Sequence, residues 1–313
     1  MARREQRDTA RHLRRCHLRR RTWRSRTFLK CRHGDAMNRP LRYAVPLLLM
    51  TFAASGCFDL ESSLHNQDTL TSYELPTGVI PAAQRTHVMM TSQGRTIHGF
   101  FVKHPDSSET NVVLYNHGNR DHLQFYWPRV EYFYTMGLSV FVYDYQGYGM
   151  SEGEPSEEGI YSDAAAAHAY LASRGIADSS IAVYGFSLGG APATHLAARV
   201  FTPRALILEA PFASASRLVE SAVLADLPSS YFMDGAYDNE GKIGSVHAPV
   251  LIMHGAADSF VDFENNGRVL FEKANDPKRL VVVPSADHNQ VMERMGEGAY
   301  RSLVASFVRS PLK

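Results

Sequence analysis

The sequence predicts an α/β fold, with a mostly parallel central sheet and helices on both faces. Three observations predict it. Short apolar runs alternate with helix-length segments from residue 85 onward, the runs are continuous rather than alternating, and a G-x-S-x-G pentapeptide stands where one run gives way to a helix. Residues 86–90 and 96–102 flank Ser92-Gln93-Gly94 and read as a hairpin, because β-rich runs surround a turn with glycine available. Buried strands are expected at 112–115, 139–143, 180–184, 205–208, 250–253 and 280–283. Helices are expected at 126–136, 157–173, 188–200, 263–274 and 290–308. No repeat or composition break divides residues 85–313, so they are read as one domain. The irregular stretch 214–245 is longer than a simple crossover and carries Leu218, Val219, Val223, Leu224, Leu227, Tyr231, Phe232 and Met233. A lid over an acyl pocket and a plain packed crossover both fit it.

At 313 residues and 44% hydrophobic content, the chain has material for one large core. Its net charge of +1 hides an asymmetry. Residues 1–36 hold 13 of the 33 Lys/Arg but three of the 32 acids, which leaves 20 basic and 29 acidic residues for the rest. An acidic body does not offer the clustered positive charge that a phosphate backbone demands, so nucleic acid is not an expected partner. The cysteines are Cys16, Cys31 and Cys57, so nothing beyond Cys57 can form a disulfide or a thiolate metal site.

The N-terminal region reads as an address. From Met37, Arg39 and Arg42 precede an apolar run over 43–54, too short to span a bilayer comfortably, and small residues lead to Cys57. Ala54-Ser55-Gly56-Cys57 resembles a bacterial lipobox, with Ala54 where Leu is usual. The expectation is a lipoprotein-type signal peptide over 37–56, lipid attachment at Cys57, and a tether over 57–84. An uncleaved anchor, or an ordinary secretory signal with an incidental cysteine, is the alternative. Residues 1–36 are then a non-native or disordered Arg-rich extension; a basic tail for RNA or membrane lipid is the other reading. The implied location is a bacterial cell envelope, on the periplasm-facing outer membrane.

Gly185-Phe186-Ser187-Leu188-Gly189 places a serine on a tight strand-to-helix turn, where flanking glycines remove colliding Cβ atoms. A hydroxyl needs a base near neutral pH, and the base needs a partner to fix its tautomer. Past Ser187 the acids at strand ends are Glu209, Asp258 and Asp262, and the histidines are His195, His247, His254 and His288. Asp258 and His288 each follow a strand at its carboxyl end, the edge where Ser187 stands, in the chain order serine, acid, histidine. Ser187 is therefore expected as nucleophile, His288 as general base and Asp258 as its orienting acid, with Glu209 in reserve. His195 is expected to pack or face solvent, His247 to sit at the wrong strand end, His254 to brace the turn that delivers Asp258, and Asp287 to point away from its neighbour. Backbone N–H groups of Leu188 and Asn119 are the expected oxyanion donors, the second from the loop Asn116-His117-Gly118-Asn119-Arg120, where His117 braces the turn.

At these residues the chain resembles the α/β-hydrolase superfamily, and more narrowly its abhydrolase-domain lipid and protein-palmitoyl thioesterases. The shared marks are NHGN at 116–119, YDYQGYG at 143–149 followed by SEG at 151–153, PSEEG at 155–159, GFSLGG at 185–190, HGAAD at 254–258 and DHN at 287–289. They cover nearly all of 85–310. Gln146 stands where Arg is frequent, and Asp262 where Pro is usual. The resemblance implies acyl transfer to water with no metal or organic cofactor: a serine hydrolase that cleaves small-molecule acyl esters or thioesters through an acyl-enzyme on Ser187. A peptidase or amidase of the same fold and a non-catalytic binding lipoprotein are the alternatives. Dehalogenase or epoxide hydrolase chemistry would need Asp at position 187.

Overall fold

Side chains from a continuous apolar run project to both faces of a strand, so such a run is stable only when both faces are covered. The computed structural model describes residues 65–106, 110–221 and 236–312 and shows this arrangement. Among the described residues the main sheet has eight strands: β1 (Arg85–Ser92), β2 (Arg95–Val102), β3 (Val112–Asn116), β4 (Ser139–Tyr143), β5 (Ile181–Phe186), β6 (Ala205–Glu209), β7 (Val250–Gly255) and β8 (Lys278–Val283). Their order is β8-β7-β6-β5-β3-β4-β2-β1. Strands β1 and β2 form the hairpin, β2 joins β4 antiparallel, and every other pairing is parallel. All residues of β3 to β7 are buried, whereas edge strands β1 and β8 keep exposed positions. The five central strands are thus the ones whose sequences carry no polar alternation.

Among the described residues, eight α-helices flank the sheet: α1 (Trp127–Thr135), α2 (Glu157–Ser173), α3 (Gly190–His195), α4 (Ala215–Ser221), α5 (Asn239–Lys242), α6 (Gly267–Lys273), α7 (Val291–Met295) and α8 (Glu297–Arg309). One core holds Ile160, Ala164, Ala167 and Leu171 of α2 with Leu270 of α6. The opposite core holds Trp127, Val130 and Phe133 of α1 with Tyr300, Val304, Phe307 and Val308 of α8. Helix α2 spans the predicted residues because its start is specified locally: the Ser156 hydroxyl accepts from Gly159 N at 3.0 Å, and Glu157 and Glu158 face the positive end of the helix dipole.

The structure departs from the sequence expectation in four places. The helix expected at 290–308 is two helices, broken at Gly296, whose φ of 85° no α-helix accommodates. The stretch 188–200 opens with a 3-10 turn (Ser187–Gly189) and closes with a π turn (Leu196–Val200) around α3. Helix α6 begins at Gly267 rather than at 263, because the preceding residues form the loop closed by Asp262 Oδ1 accepting from Asn265 N at 2.9 Å. Most consequentially, residues 65–84 of the expected tether, though mostly exposed, are fastened to the domain. His65 and Ile80 are buried, and Asn66–Gln67 pairs in parallel with Arg120–Asp121. Cys57, residues 1–36, the signal segment 37–56, the rest of the tether to 64, and 222–235 of the proposed lid lie outside the described residues. Among the described residues, no helix is long and apolar enough to cross a membrane.

Candidate active site

Parallel pairing carries the ends of β3, β5, β6, β7 and β8 to one rim of the sheet. Asn116 is in register with Gly185, Phe186 with Glu209, and Gly255 with Val283. Ser187 follows β5 directly, with φ at 52°. A non-glycine residue held in that region costs of the order of 1–3 kcal/mol, and the surroundings must hold it there. They do so by close approach: a Cβ at Gly185 would collide with the Gly189 carbonyl, and one at Gly189 with the Asn116 carbonyl. The glycines of the pentapeptide are thus required by backbone contact on both sides of the serine.

Three expected side chains meet at this rim. His288 Nε2 lies 2.9 Å from Ser187 Oγ, and His288 Nδ1 lies 2.8 Å from Asp258 Oδ2; all three residues are buried. A carboxylate can only accept, so Nδ1 carries the proton and Nε2 presents its lone pair to the hydroxyl. Asp258 is itself fully occupied. Its Oδ1 accepts from Phe260 N at 3.0 Å and Val261 N at 2.7 Å, and His254 Nε2 stands 3.3 Å from Oδ2 while donating to Val261 O at 2.8 Å. Burial alone would raise the pKa of Asp258. Hydrogen bonds from His254 and His288, with the backbone N–H of Val261, reverse that effect and hold the carboxyl well below the ordinary carboxylate range. An imidazole so oriented can take the hydroxyl proton, and the fixed negative charge behind it favours the imidazolium that results.

The remaining candidates fall where their alternatives put them. Asp287 Oδ1 accepts from Ser259 N, Ser259 Oγ and His288 N, which ties two loops together and leaves the imidazole to Asp258. His195 stacks on Tyr161 at 4.2 Å, and His247 is exposed before β7. Glu209, the reserve acid, is committed elsewhere: its Oε2 accepts from Arg129, Tyr184 and Tyr300. His117 donates from Nδ1 to Gly118 O at 2.7 Å, the bracing contact expected of it.

Asn119 and Leu188 border a small recess with Ser187, joined by Phe212, Phe260 and Leu218 of α4. The recess adjoins an open cavity of about 640 Å³ whose lining includes Phe125, Tyr126, Phe186, Phe260 and Met292, with Arg120, Arg129 and Asp287 as its charged members. Phe125 and Phe260 are about half exposed there, at 47% and 51%. Among the described residues, no group of three or more His, Cys, Asp or Glu is placed to hold a metal ion.

Several residues of the site escaped the sequence reading. Asp144 was visible only as part of a shared motif; buried, it accepts from Leu123 N and Tyr73 Oη, each at 2.6 Å, and faces His117 Nε2 at 3.3 Å. Phe260 sets its ring 5.1 Å from that of His288. Arg129 lies over Phe186 at 4.7 Å on the cavity wall. A signal existed only for Asp144, as a lone acid at the end of an apolar strand.

Residues 107–233 match the family described as serine aminopeptidase, S33. Human α/β hydrolase domain-containing protein 17B is 35% identical over 227 residues, which cover 68% of this chain and 74% of that protein. The chain belongs to the α/β-hydrolase superfamily. A Mycobacterium tuberculosis protein is similarly close to this α/β hydrolase, at 36% identity over 212 residues, 67% of this chain and 74% of the relative. Among solved structures, a Pyrococcus furiosus esterase shares the fold at a TM-score of 0.65 and 19% identity, covering 79% of this chain and 97% of that one. The esterase domain of a Rhodothermus marinus protein shares it at 0.54 and 20% identity, covering 72% and 99%.

Proposed function

We propose that this α/β hydrolase is a serine hydrolase of carboxylic esters or thioesters on acyl or lipid-like substrates. The observation that carries the reading is the unbroken line from Ser187 Oγ through His288 to Asp258, at 2.9 and 2.8 Å. Ser187 Oγ attacks the acyl carbon as its proton passes to His288 Nε2, and the carbonyl π pair moves onto oxygen. The N–H groups of Asn119 and Leu188 stabilise that oxyanion, each worth about 10²–10³ in rate. Collapse of the intermediate expels the alcohol or thiol, which leaves with the proton from His288. Water, deprotonated by the same imidazole, then attacks the acyl-enzyme, and collapse breaks the acyl–Oγ bond as His288 returns the proton to Ser187 and the acid leaves. The apolar lining of the cavity suits an acyl chain.

A second reading follows from the family description: hydrolysis of an amide at a peptide N-terminus. The lining of the cavity disfavours it, since among the described residues Asp287 is the one carboxylate there and it is already hydrogen-bonded, which leaves an α-ammonium without a free acid. Ester, thioester and amide substrates with one common acyl group separate the two readings. Turnover of the oxygen or sulfur ester and adduct formation by a fluorophosphonate on Ser187, both lost in Ser187→Ala, are expected. Amide turnover exceeding ester turnover, or a Ser187→Ala protein that keeps its activity, contradicts the proposal. Lipid attachment at Cys57 on an envelope membrane is proposed from the sequence pattern alone, and the mass of the native N-terminal peptide tests it.

A further inference from the structure

The segment just before the hairpin sends its polar groups to the loop that carries Asn119. Asn66 N donates to Asn119 O at 3.0 Å, and Asp68 N to Asp121 O at 3.1 Å. Tyr148 Oη donates to the same Asn119 carbonyl at 3.2 Å, and buried His65 holds that phenol, with Nδ1 3.0 Å from Tyr148 Oη and Nε2 2.8 Å from Tyr237 Oη. The donors run one way. Because the Tyr148 proton goes to a carbonyl, its oxygen accepts from His65 Nδ1–H, and His65 Nε2 is left to accept from Tyr237. Further along, Tyr73 Oη donates to Asp144, whose other oxygen holds Leu123 N at the far end of the same loop.

We propose that residues 65–73 are a positioning strap for the oxyanion loop, with His65 as its main anchor. The inference rests on the reading of Asn119 as an oxyanion donor. Three successive carbonyls in the loop are fixed: that of His117 by Tyr145 Oη at 2.8 Å, that of Gly118 by His117 Nδ1, and that of Asn119 by the strap and Tyr148. In a trans peptide the N–H of Asn119 points opposite to the carbonyl of Gly118, so its aim depends on how firmly the planes on both sides are held. Removing one clamp on the Asn119 carbonyl leaves the substrate-binding wall in place and loosens the donor. A misplacement of about 1 Å at a reacting group costs on the order of 10² in rate.

The test uses the full-length chain and a soluble p-nitrophenyl ester. His65→Leu and Tyr148→Phe should each lower kcat by about 10- to 100-fold with KM within a few-fold, and the double variant should fall little below the worse single one, because both act through one hydrogen-bond chain. His65→Gln, which can donate to Tyr148 and accept from Tyr237, should recover most of the loss, and the pH profile of kcat should keep its shape. Wild-type kcat in Tyr148→Phe, additive losses in the double variant, or no rescue by Gln would each overturn the strap. If His65→Leu does not fold, Tyr148→Phe decides, since it removes a single hydroxyl. Ser187→Ala, assayed alongside, separates the two failures: if it is inactive while the strap variants are unimpaired, the strap alone falls, and if it is active, the hydrolase reading falls.

Discussion

Two buried carboxylates stand at the ends of adjacent strands on the same rim, and they do opposite work. Glu209 closes β6 and faces a guanidinium and two phenols; Asp258 follows β7 and faces two imidazoles and two backbone N–H groups. In both cases burial would raise the pKa and the partners overcome it: the charge of Arg129 first for Glu209, the hydrogen bond from His254 first for Asp258. The difference lies in what the partner can do next. A guanidinium keeps its proton at any pH a protein survives, so Glu209 can only hold α1 and α8 onto the sheet through Arg129 and Tyr300. An imidazole can change charge near neutral pH, so Asp258 holds a group that is able to move a proton. Burial and a pKa shift in the same direction therefore accompany a structural ion pair in one place and, on the proposed reading, an acid–base relay in the other.

The sharpest way to break that contrast is to neutralise each acid without changing its size. Asp258→Asn should lower kcat by about 10⁴, because an amide cannot hold His288 in the tautomer that presents Nε2 to Ser187. Its thermal midpoint should also fall, because a carboxyl held well below its ordinary value contributes stability at neutral pH that the amide loses. Steady-state kinetics together with a melting curve check this, and an Asp258→Asn enzyme within tenfold of wild type would equate the two acids.

Glu209→Gln should cost stability and spare turnover. It strands the Arg129 charge against Tyr184 and Tyr300, and the loss of one partner from a buried pair costs about 3–5 kcal/mol of stability. In the fraction that remains folded, kcat should stay within tenfold of wild type. Denaturant unfolding alongside active-site titration with a fluorophosphonate reads both quantities. The double replacement of Arg129 and Glu209 by Met and Gln should recover part of the stability, because no uncompensated charge remains buried.

The contrast also has a pH signature. Both carboxyls are held below their ordinary values of about 4 in the folded chain, so as pH falls the unfolded chain takes up protons first. Their contribution to stability is complete above the unfolded values and disappears as pH falls through the depressed folded values. Stability should therefore decline below about pH 4, and both Glu209→Gln and Asp258→Asn should flatten that decline. Glu209→Gln should leave the pH profile of kcat/KM unaltered. Unfolding curves between pH 7 and 3 test this, and parallel declines in the variants and the wild type would show that neither acid carries the effect.

The same contrast explains what the sequence made legible. Asp258 and His288 were readable because each follows a strand within a few residues, and the strands β3 to β7 were readable because burial on both faces leaves no polar position in them. The Arg129–Glu209 pair was not, because an arginine on an amphipathic helix has the pattern of a solvated face, and its partner lies 80 residues away. The strap of 65–73 was invisible for a related reason. Its hydrogen bonds are largely backbone-to-backbone or reach to distant phenols and to Asp144, so its sequence carries neither period 2 nor period 3.6. The break at Gly296 was masked by apolar residues that continue on both sides of it.

The smallest expected effect concerns the wall of the site rather than its acids. Phe260 is half exposed, with its ring 5.1 Å from that of His288, on the same turn whose N–H groups hold Asp258. Its backbone belongs to the relay and its ring to the cavity, so Phe260→Ala should separate the two roles. The Asp258 contacts survive, because they use Phe260 N and Val261 N, and the pH profile should stay where it is. What is lost is apolar contact with the acyl chain, about 1 kcal/mol for half of an aromatic side chain, or roughly fivefold in kcat/KM for long-chain esters and less for acetyl esters. A chain-length series of p-nitrophenyl esters reads the slope directly. An equal loss at every chain length would place the ring with the relay rather than with the acyl site.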